Sequence, residues 1–347
     1  MTFPEVLYYL GYLIKKHYAL KNQKRLPHKV ISIGNITMGG TGKTPATIAL
    51  AREAIKRRFN PCILTRGYKG KAKGPCFVSR GENPVLDEYQ AGDEALLMAE
   101  KLKGVPVVKG KNRYEAGMFA LSSLPLALSP DLFILDDGFQ HWHLFRDKDI
   151  LLIDVSNPFG KKHLLPVGRL REPLSSMKMA DIIVITNTPT PPSPLRGEGK
   201  GGGDDNLISE IRQYNTSAPI FFAQHKPSEF IKMTGDKLSI EWSKDKKLFG
   251  FCGIGNPDSF RKTLLSLNID LKGFKVFRDH YRYSPDDIKK IINLAKTSGA
   301  QWIVTTEKDI MRMKGFDMPE NLVSLAIEFY VDDEFYEEVF RGIKNNL

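Results

Sequence analysis

Within this 347-residue chain the densest chemistry lies in one run, Gly34-Asn35-Ile36-Thr37-Met38-Gly39-Gly40-Thr41-Gly42-Lys43-Thr44-Pro45. Glycines let consecutive backbone N–H groups turn inward around phosphate oxygens, and a helix starting there adds its positive end. The run fits G-x-x-x-x-G-K-[ST] except at the first position, where Thr37 stands for glycine; Gly34, Gly39 and Gly40 supply the freedom instead. Thr37, Gly39, Gly40, Thr41, Gly42, Lys43 and Thr44 are the predicted nucleotide cradle, with Lys43 on the β- and γ-phosphates and the Thr44 hydroxyl on Mg²⁺. A second signal is the apolar stretch Leu132-Phe133-Ile134-Leu135, which ends in Asp136-Asp137. Mg²⁺ takes hard oxygen ligands, so this pair completes a metal–nucleotide site; the spacing leaves open which aspartate is nearer the ion. ATP is predicted over GTP, because the nearest approach to N-K-x-D, Thr306-Glu307-Lys308-Asp309, departs in its first residues and lies far down the chain.

These groups need elements to hold them. Short apolar runs at Val30–Ile33, Cys62–Thr65, Val105–Val108, Leu132–Leu135, Ile150–Ile153 and Ile182–Ile185 read as buried strands, with helices at 44–58, 92–103 and 112–121. That alternation predicts parallel βαβ units. Residues 188–206 are rich in proline, glycine and charge and read as a linker or insertion with almost nothing to bury. A second pattern follows, with strands at 219–222, 248–252, 274–277, 302–305 and 322–325, helices near 257–267 and 284–297, and a final helical stretch at 332–345. The predicted fold is an α/β/α sandwich on a mostly parallel sheet plus a smaller α/β domain. Its segments are 1–29 (a helix), 30–187 (the phosphate-binding domain), 188–206, 207–331 (the second domain) and 332–347.

The formal net charge of +11 implies an acidic partner: nucleic acid, anionic lipid or a phosphorylated substrate. No nucleic-acid-binding motif supports the first. Three scattered cysteines, Cys62, Cys76 and Cys252, give no metal or disulfide pattern and suit a reducing compartment. No segment reaches the ~18 apolar residues of a membrane span. The N-terminus reads instead as an amphipathic helix. Val6, Leu10, Leu13, Ile14 and Leu20 recur at helical spacing among Tyr8, Tyr9, Tyr12 and Tyr18, beside Lys15, Lys16, Lys21, Lys24, Arg25 and Lys29. Such a helix suits an anionic headgroup layer and equally a docked helix with a solvated basic face.

Read together, these motifs resemble the tetraacyldisaccharide 4′-kinase (lipid A 4′-kinase) family. Its markers are the phosphate loop, Arg66-Gly67-Tyr68, Gly92-Asp93-Glu94, Leu135-Asp136-Asp137-Gly138-Phe139-Gln140-His141, and Pro166 through Pro173. Further along come Cys252-Gly253-Ile254-Gly255-Asn256-Pro257, Asp279-His280 and Thr306 through Asp309. The resemblance spans nearly the whole chain except 188–206. It implies transfer of the ATP γ-phosphoryl to the 4′-hydroxyl of a tetra-acylated glucosamine disaccharide 1-phosphate. It also implies a β-ribbon hinge between two domains and a peripheral enzyme, expected as a monomer, on the cytoplasmic face of the inner membrane with its N-terminal helix on the anionic lipid.

The resemblance also implies site residues. Asp93, by itself a good helix cap, becomes the catalytic carboxylate, and His280 its partner across the domain interface. Lys43, Arg113 and His141 join the catalytic set, with His141 reaching the phosphates or the metal's surroundings. Glu172 joins Thr44, Asp136 and Asp137 near the metal. Arg66, Arg171 and Asn35 are expected on the substrate, with the phosphate each arginine grips left open; each arginine reads equally as a salt-bridge partner, and Glu172 as a structural ion-pair member. Two other functions fit parts of the pattern. One is a kinase of a soluble metabolite, which leaves the N-terminal helix unexplained. The other is a membrane-positioning switch ATPase, which has no need of Asp93 and His280.

Overall fold

The computed structural model describes residues 1–188 and 204–344. The first half runs α1 (Phe3–Lys21), β1 (Lys29–Gly34), α2 (Lys43–Lys56), β2 (Pro61–Thr65), β3 (Cys76–Arg80), α3 (Glu88–Ala91), α4 (Asp93–Lys101), β4 (Pro106–Lys109), α5 (Arg113–Ser123), β5 (Leu132–Asp136), β6 (Lys148–Asp154) and β7 (Ile182–Thr186). The second runs α6 (Asp204–Arg212), β8 (Ile220–Lys232), β9 (Lys237–Ser239), β10 (Lys247–Cys252), α7 (Pro257–Ser266), β11 (Asp270–Val276), α8 (Pro285–Thr297), β12 (Trp302–Thr306), α9 (Glu307–Met313), β13 (Leu322–Val331) and α10 (Asp333–Phe340).

Most strands pair in parallel, in the order β11-β10-β12-β13-β8-β7-β6-β1-β5-β2-β4-β3. The α/β class follows from fully buried apolar strands such as β2, β5 and β7, which only a helix-covered parallel sheet can accommodate. β1 lies between β5 and β6, so the chain leaves the sheet in opposite directions on either side of it. That switch point is where a crevice opens at the strand ends.

The two halves share one strand. β8 begins parallel to β7 at Ile220–Phe222, then runs on as an antiparallel ribbon with β13 from Ala223 to Lys232. The predicted strand at 219–222 covers only its first three residues, because Gln224, His225, Lys226, Ser228 and Glu229 break the apolar run. Pro227 is tolerated because the register with β13 shifts there, between Ala326 and Ile327. β3 and β9 are also unforeseen; both are short antiparallel edge strands. α6 starts at Asp204 and Thr188 is buried, so the segment expected to carry no structure from 188 to 206 is shorter at both ends. Residues 189–203 and 345–347 lie outside the described residues.

α1 turns Tyr8, Tyr9 and Tyr12 toward the protein. The Tyr12 hydroxyl donates to Glu172 Oε2 (3.2 Å), its ring meets Trp142 edge-on, and Tyr8 donates to the Arg171 carbonyl (2.9 Å). Phe3, Leu7, Leu10, Ile14 and Tyr18 face solvent. Buried Glu5 anchors the helix start, accepting from Thr2 N (2.7 Å) and Leu164 N (2.9 Å) and facing His163 Nδ1 (3.0 Å).

The Thr2 backbone hydrogen bond leads the causes that lower the Glu5 carboxyl to about 2. A depressed carboxyl stabilises the fold above its unfolded value and loses that contribution as pH falls toward its folded value. The stability advantage of the natural chain over Glu5→Gln, read from denaturant midpoints, is therefore expected to shrink steadily from about pH 4.5 to about pH 2.

Candidate active site

The phosphate loop leaves β1 and enters α2 through Gly42, whose φ of 81° is left-handed, as is Gly39 at 123°. A Cβ on Gly39 would strike Arg169, and one on Gly42 would strike the His225 imidazole. Glycine is thus required twice, by backbone geometry and by close approach. The Thr41 hydroxyl is buried without a partner among the described residues. Lys43 Nζ donates to Asn35 Oδ1 (3.2 Å) and lies 3.6 Å from Asp137 Oδ1.

The loop lines a cavity of about 590 Å³. Arg66, Tyr68, Glu94, Asp136, Asp137 and Arg171 line it from the first half; Gly255, Asn256, His280, Lys308 and Arg312 line it from the second. Asp136, in register with Ile33 of β1, accepts from Thr65 Oγ1 (2.9 Å) and Thr47 Oγ1 (3.5 Å). Burial, with Glu94 and Asp137 nearby, pushes its carboxyl up to about 6 despite Thr65 and Lys43. Asp137 sits at a left-handed φ of 50°. Burial opposes its charge, but Lys43 and the bidentate Arg171 fork (3.0 and 2.8 Å) outweigh burial and hold it well below the usual carboxylate range.

These residues fit a magnesium–nucleotide complex. The glycine cradle admits phosphates, and Thr44, Asp136 and Asp137 offer the hard oxygen set the ion takes. The charge of Asp136 is under-compensated by the protein alone, which a divalent cation would correct.

Across the cavity, His280 Nδ1 lies 3.0 Å from Asp93 Oδ2. His280 belongs to a second-half loop with a left-handed φ of 52° and lines the cavity, whereas Asp93, at the start of α4, is 2% exposed and stands behind it. Burial raises the Asp93 carboxyl, but the His280 hydrogen bond and the charges of Arg312 and Lys308 outweigh it and keep Asp93 ionised. The halves also meet through Lys308–Glu94 and Lys101–Glu307, both 2.5 Å.

Four more of the expected residues do not line the cavity. Glu172, fully buried, accepts from Tyr12 and from Gln140 Nε2 (2.8 Å) and stands outside the cavity lining. His141 does not line the cavity: its Nε2 accepts from Arg113 N (3.2 Å), and burial, then Arg113 and Arg146, lower it to about 3, so it is neutral. Arg113 lies behind the acidic pair, donating to the carbonyls of Gly110 (3.1 Å) and Asp136 (3.4 Å). Asn35 is buried outside the cavity lining, and its Oδ1 accepts from Lys43 and Arg171. Arg66 does line the cavity and is exposed.

Comparison with known proteins follows the same lines. Residues 5–344 match the family model described as Tetraacyldisaccharide-1-P 4'-kinase. The tetraacyldisaccharide 4'-kinase of Syntrophus aciditrophicus is 38% identical over 92% of this chain and 86% of its own length, and that of Desulfotalea psychrophila is 33% identical over 98% of each. The crystal structure of LpxK from Aquifex aeolicus in complex with ATP superposes with a TM-score of 0.75 at 31% identity, covering 98% of this chain and 97% of that one. The chain belongs to the tetraacyldisaccharide-1-P 4'-kinase family.

Sequence reasoning missed three residues in this kinase's site. Thr65 was visible only as the end of a strand, although it precedes the marker Arg66-Gly67-Tyr68. Arg312 lies just beyond the Thr306–Asp309 marker. His225 comes from the unpredicted part of β8; its Nδ1 lies 2.7 Å from Asn187 Oδ1, and burial lowers it to about 4. No motif announces it.

Gly42→Ala places a methyl at a left-handed φ and against His225. It is expected to weaken Mg²⁺–ATP binding by at least ~5-fold, the equivalent of ~1 kcal/mol of misfit, as read by calorimetric titration.

Proposed function

We propose that this chain transfers the γ-phosphoryl of ATP to the 4′-hydroxyl of a tetra-acylated glucosamine disaccharide 1-phosphate, giving the bis-phosphorylated lipid A precursor. One observation carries the reading: in a chain of this family, a buried Asp93 pairs with His280, which faces the phosphate loop across one cavity. Phosphoryl transfer asks little covalent chemistry of a protein; it needs aligned partners, neutralised charge and a destination for one proton.

The new bond joins the 4′-oxygen to the γ-phosphorus, the bond from that phosphorus to the β–γ bridging oxygen breaks, and its electron pair leaves with ADP. Lys43 and the loop N–H groups hold the phosphates. Arg66, exposed where it lines the cavity, neutralises phosphate charge. Arg171 acts one step back, fixing Asp137 and Asn35. Thr44, Asp136 and Asp137 would hold the magnesium ion, which when bound offsets charge on the β- and γ-phosphates. The hydroxyl proton passes to the Asp93–His280 pair, which works as a unit because each group fixes the other's protonation state. His280 arrives from the second half, so closure of two α/β bodies about the β8–β13 ribbon completes the site.

We further propose a peripheral monomer on the cytoplasmic face of the inner membrane. Among the described residues no helix is long and apolar enough to cross a membrane. The outward row Phe3, Leu7, Leu10, Ile14 and Tyr18 on α1, beside Lys15, Lys21 and Arg25, suits the interface of an anionic bilayer. Family membership favours this lipid kinase over a soluble-metabolite kinase or a switch ATPase.

The direct test is transfer of labelled γ-phosphate to the disaccharide 1-phosphate in mixed micelles. Asp93→Ala and His280→Ala are each expected to lose at least ~10²-fold, the scale of general base catalysis. The double variant is expected to lose little more than the worse single one, since members of one catalytic unit are non-additive. Independent, multiplicative losses would count against the pair, and absence of transfer by the unaltered chain would count against the substrate. In a second test, Leu7→Asp with Ile14→Asp is expected to abolish co-sedimentation with phosphatidylglycerol vesicles while leaving the thermal midpoint unchanged; retained sedimentation would rule out the α1 face.

A further inference from the structure

Arg312 is buried, charged and joined to both members of the catalytic pair. On α9, its Nε donates to Asp93 Oδ2 (2.8 Å), and its Nη2 donates to the same oxygen. Its Nη1 donates to the Gly253 carbonyl (2.7 Å) and to Asp309 Oδ1 (3.0 Å). The Gly253 carbonyl also accepts the His280 backbone N–H (3.0 Å), the bond that holds the left-handed residue 280 in place. One guanidinium therefore fixes the carboxylate of Asp93 and, through one carbonyl, the backbone that presents the imidazole. Asp309 is saturated in turn: it accepts from Gly253 N, from Tyr283 Oη and from both Thr305 and Thr306, so Arg312 has no slack.

We propose that Arg312 is a positioning residue for phosphoryl transfer, setting both the placement and the charge of the Asp93–His280 pair; this rests on the kinase reading above. The side chains of Arg312 and Asp93 are each 2% exposed, so little solvent screens their charges from one another. An ionised carboxylate only accepts, so Nδ1 of a neutral His280 carries the proton and Nε2 keeps its lone pair. Arg312 offsets the charge of Asp93 and so restrains it from drawing a second proton onto the ring. Besides Arg312, the charged and polar groups around the pair are Lys308 on α9, Glu88 on α3, Asp279, whose Oδ1 is 3.9 Å from Nε2, and the Tyr68 ring at 5.2 Å. None of these donates to Asp93 with a side chain. Without Arg312, Asp93 faces His280 with its charge offset less, through Lys308, and the imidazolium is favoured.

The test uses full-length Arg312→Met and Arg312→Lys proteins with ¹⁵N-labelled histidine, the His280 signal being assigned by its loss in His280→Gln. In Arg312→Met the ring's titration and the acid limb of kcat/KM are both expected to move to higher pH. We expect kcat to fall at least ~10-fold, the scale of one pKa unit, with KM for ATP little changed. Arg312→Lys keeps the charge without the fork and is expected to hold the titration near its natural position while kcat recovers only in part. If Arg312→Met does not fold, Arg312→Lys decides alone: natural turnover in it would overturn the proposal. In Arg312→Met an unmoved titration would do so too, leaving a core ion pair only. The titration needs no lipid substrate, so its outcome stands apart from failure of the kinase reading, which shows as absent transfer by the unaltered chain.

Discussion

The arrangement depends on one buried carboxylate. Asp93 lies at the start of α4 in the first half of the chain, yet the side chains that offset its charge come from far along it, His280 at a separation of 187 residues and Arg312 at 219. A buried charge without partners is strongly unfavourable. Meeting that requirement brings the second half over the phosphate loop, and α9 against α4 follows from it, with Lys308–Glu94 and Lys101–Glu307 along the same seam.

The sheet makes this meeting possible. Its strand order puts β1 at a switch point, so the loop after β1 and the acids after β5 open onto one crevice. β8 then continues beyond the first half, and its ribbon with β13 carries the remaining strands to the far side of that crevice. Polar residues interrupt the ribbon where the nucleotide loop needs support, and His225 packs against Gly42 at the point where any side chain on the loop would be too large.

Legibility in the sequence followed locality. The phosphate loop and Asp136-Asp137 could be read because their geometry is set by a strand, a turn and a helix contiguous in sequence. The α/β class could be read from fully apolar strands. The Asp93–His280 pairing rested on resemblance alone, since nothing within a few residues of either predicts a contact 187 positions away. The same limit hid the partners of three expected site residues. His141, Glu172 and Asn35 lie near the motif in sequence, but their polar atoms are taken up by Arg113 N, by Tyr12 and Gln140, and by Lys43 and Arg171. Periodicity identified an amphipathic α1 but not its orientation; hydroxyl partners on the protein drew Tyr8 and Tyr12 inward and left the aliphatic row outside.

Asp93 holds the two halves together over the phosphate loop. The most direct measurement is the distance between spin labels at Leu126→Cys and Leu265→Cys, both exposed and one in each half, in a Cys76→Ser background by pulsed electron resonance. The account predicts a single narrow distance distribution for the otherwise natural chain and a broader, longer one when Asp93→Ala is added. Identical distributions in the two proteins would contradict it.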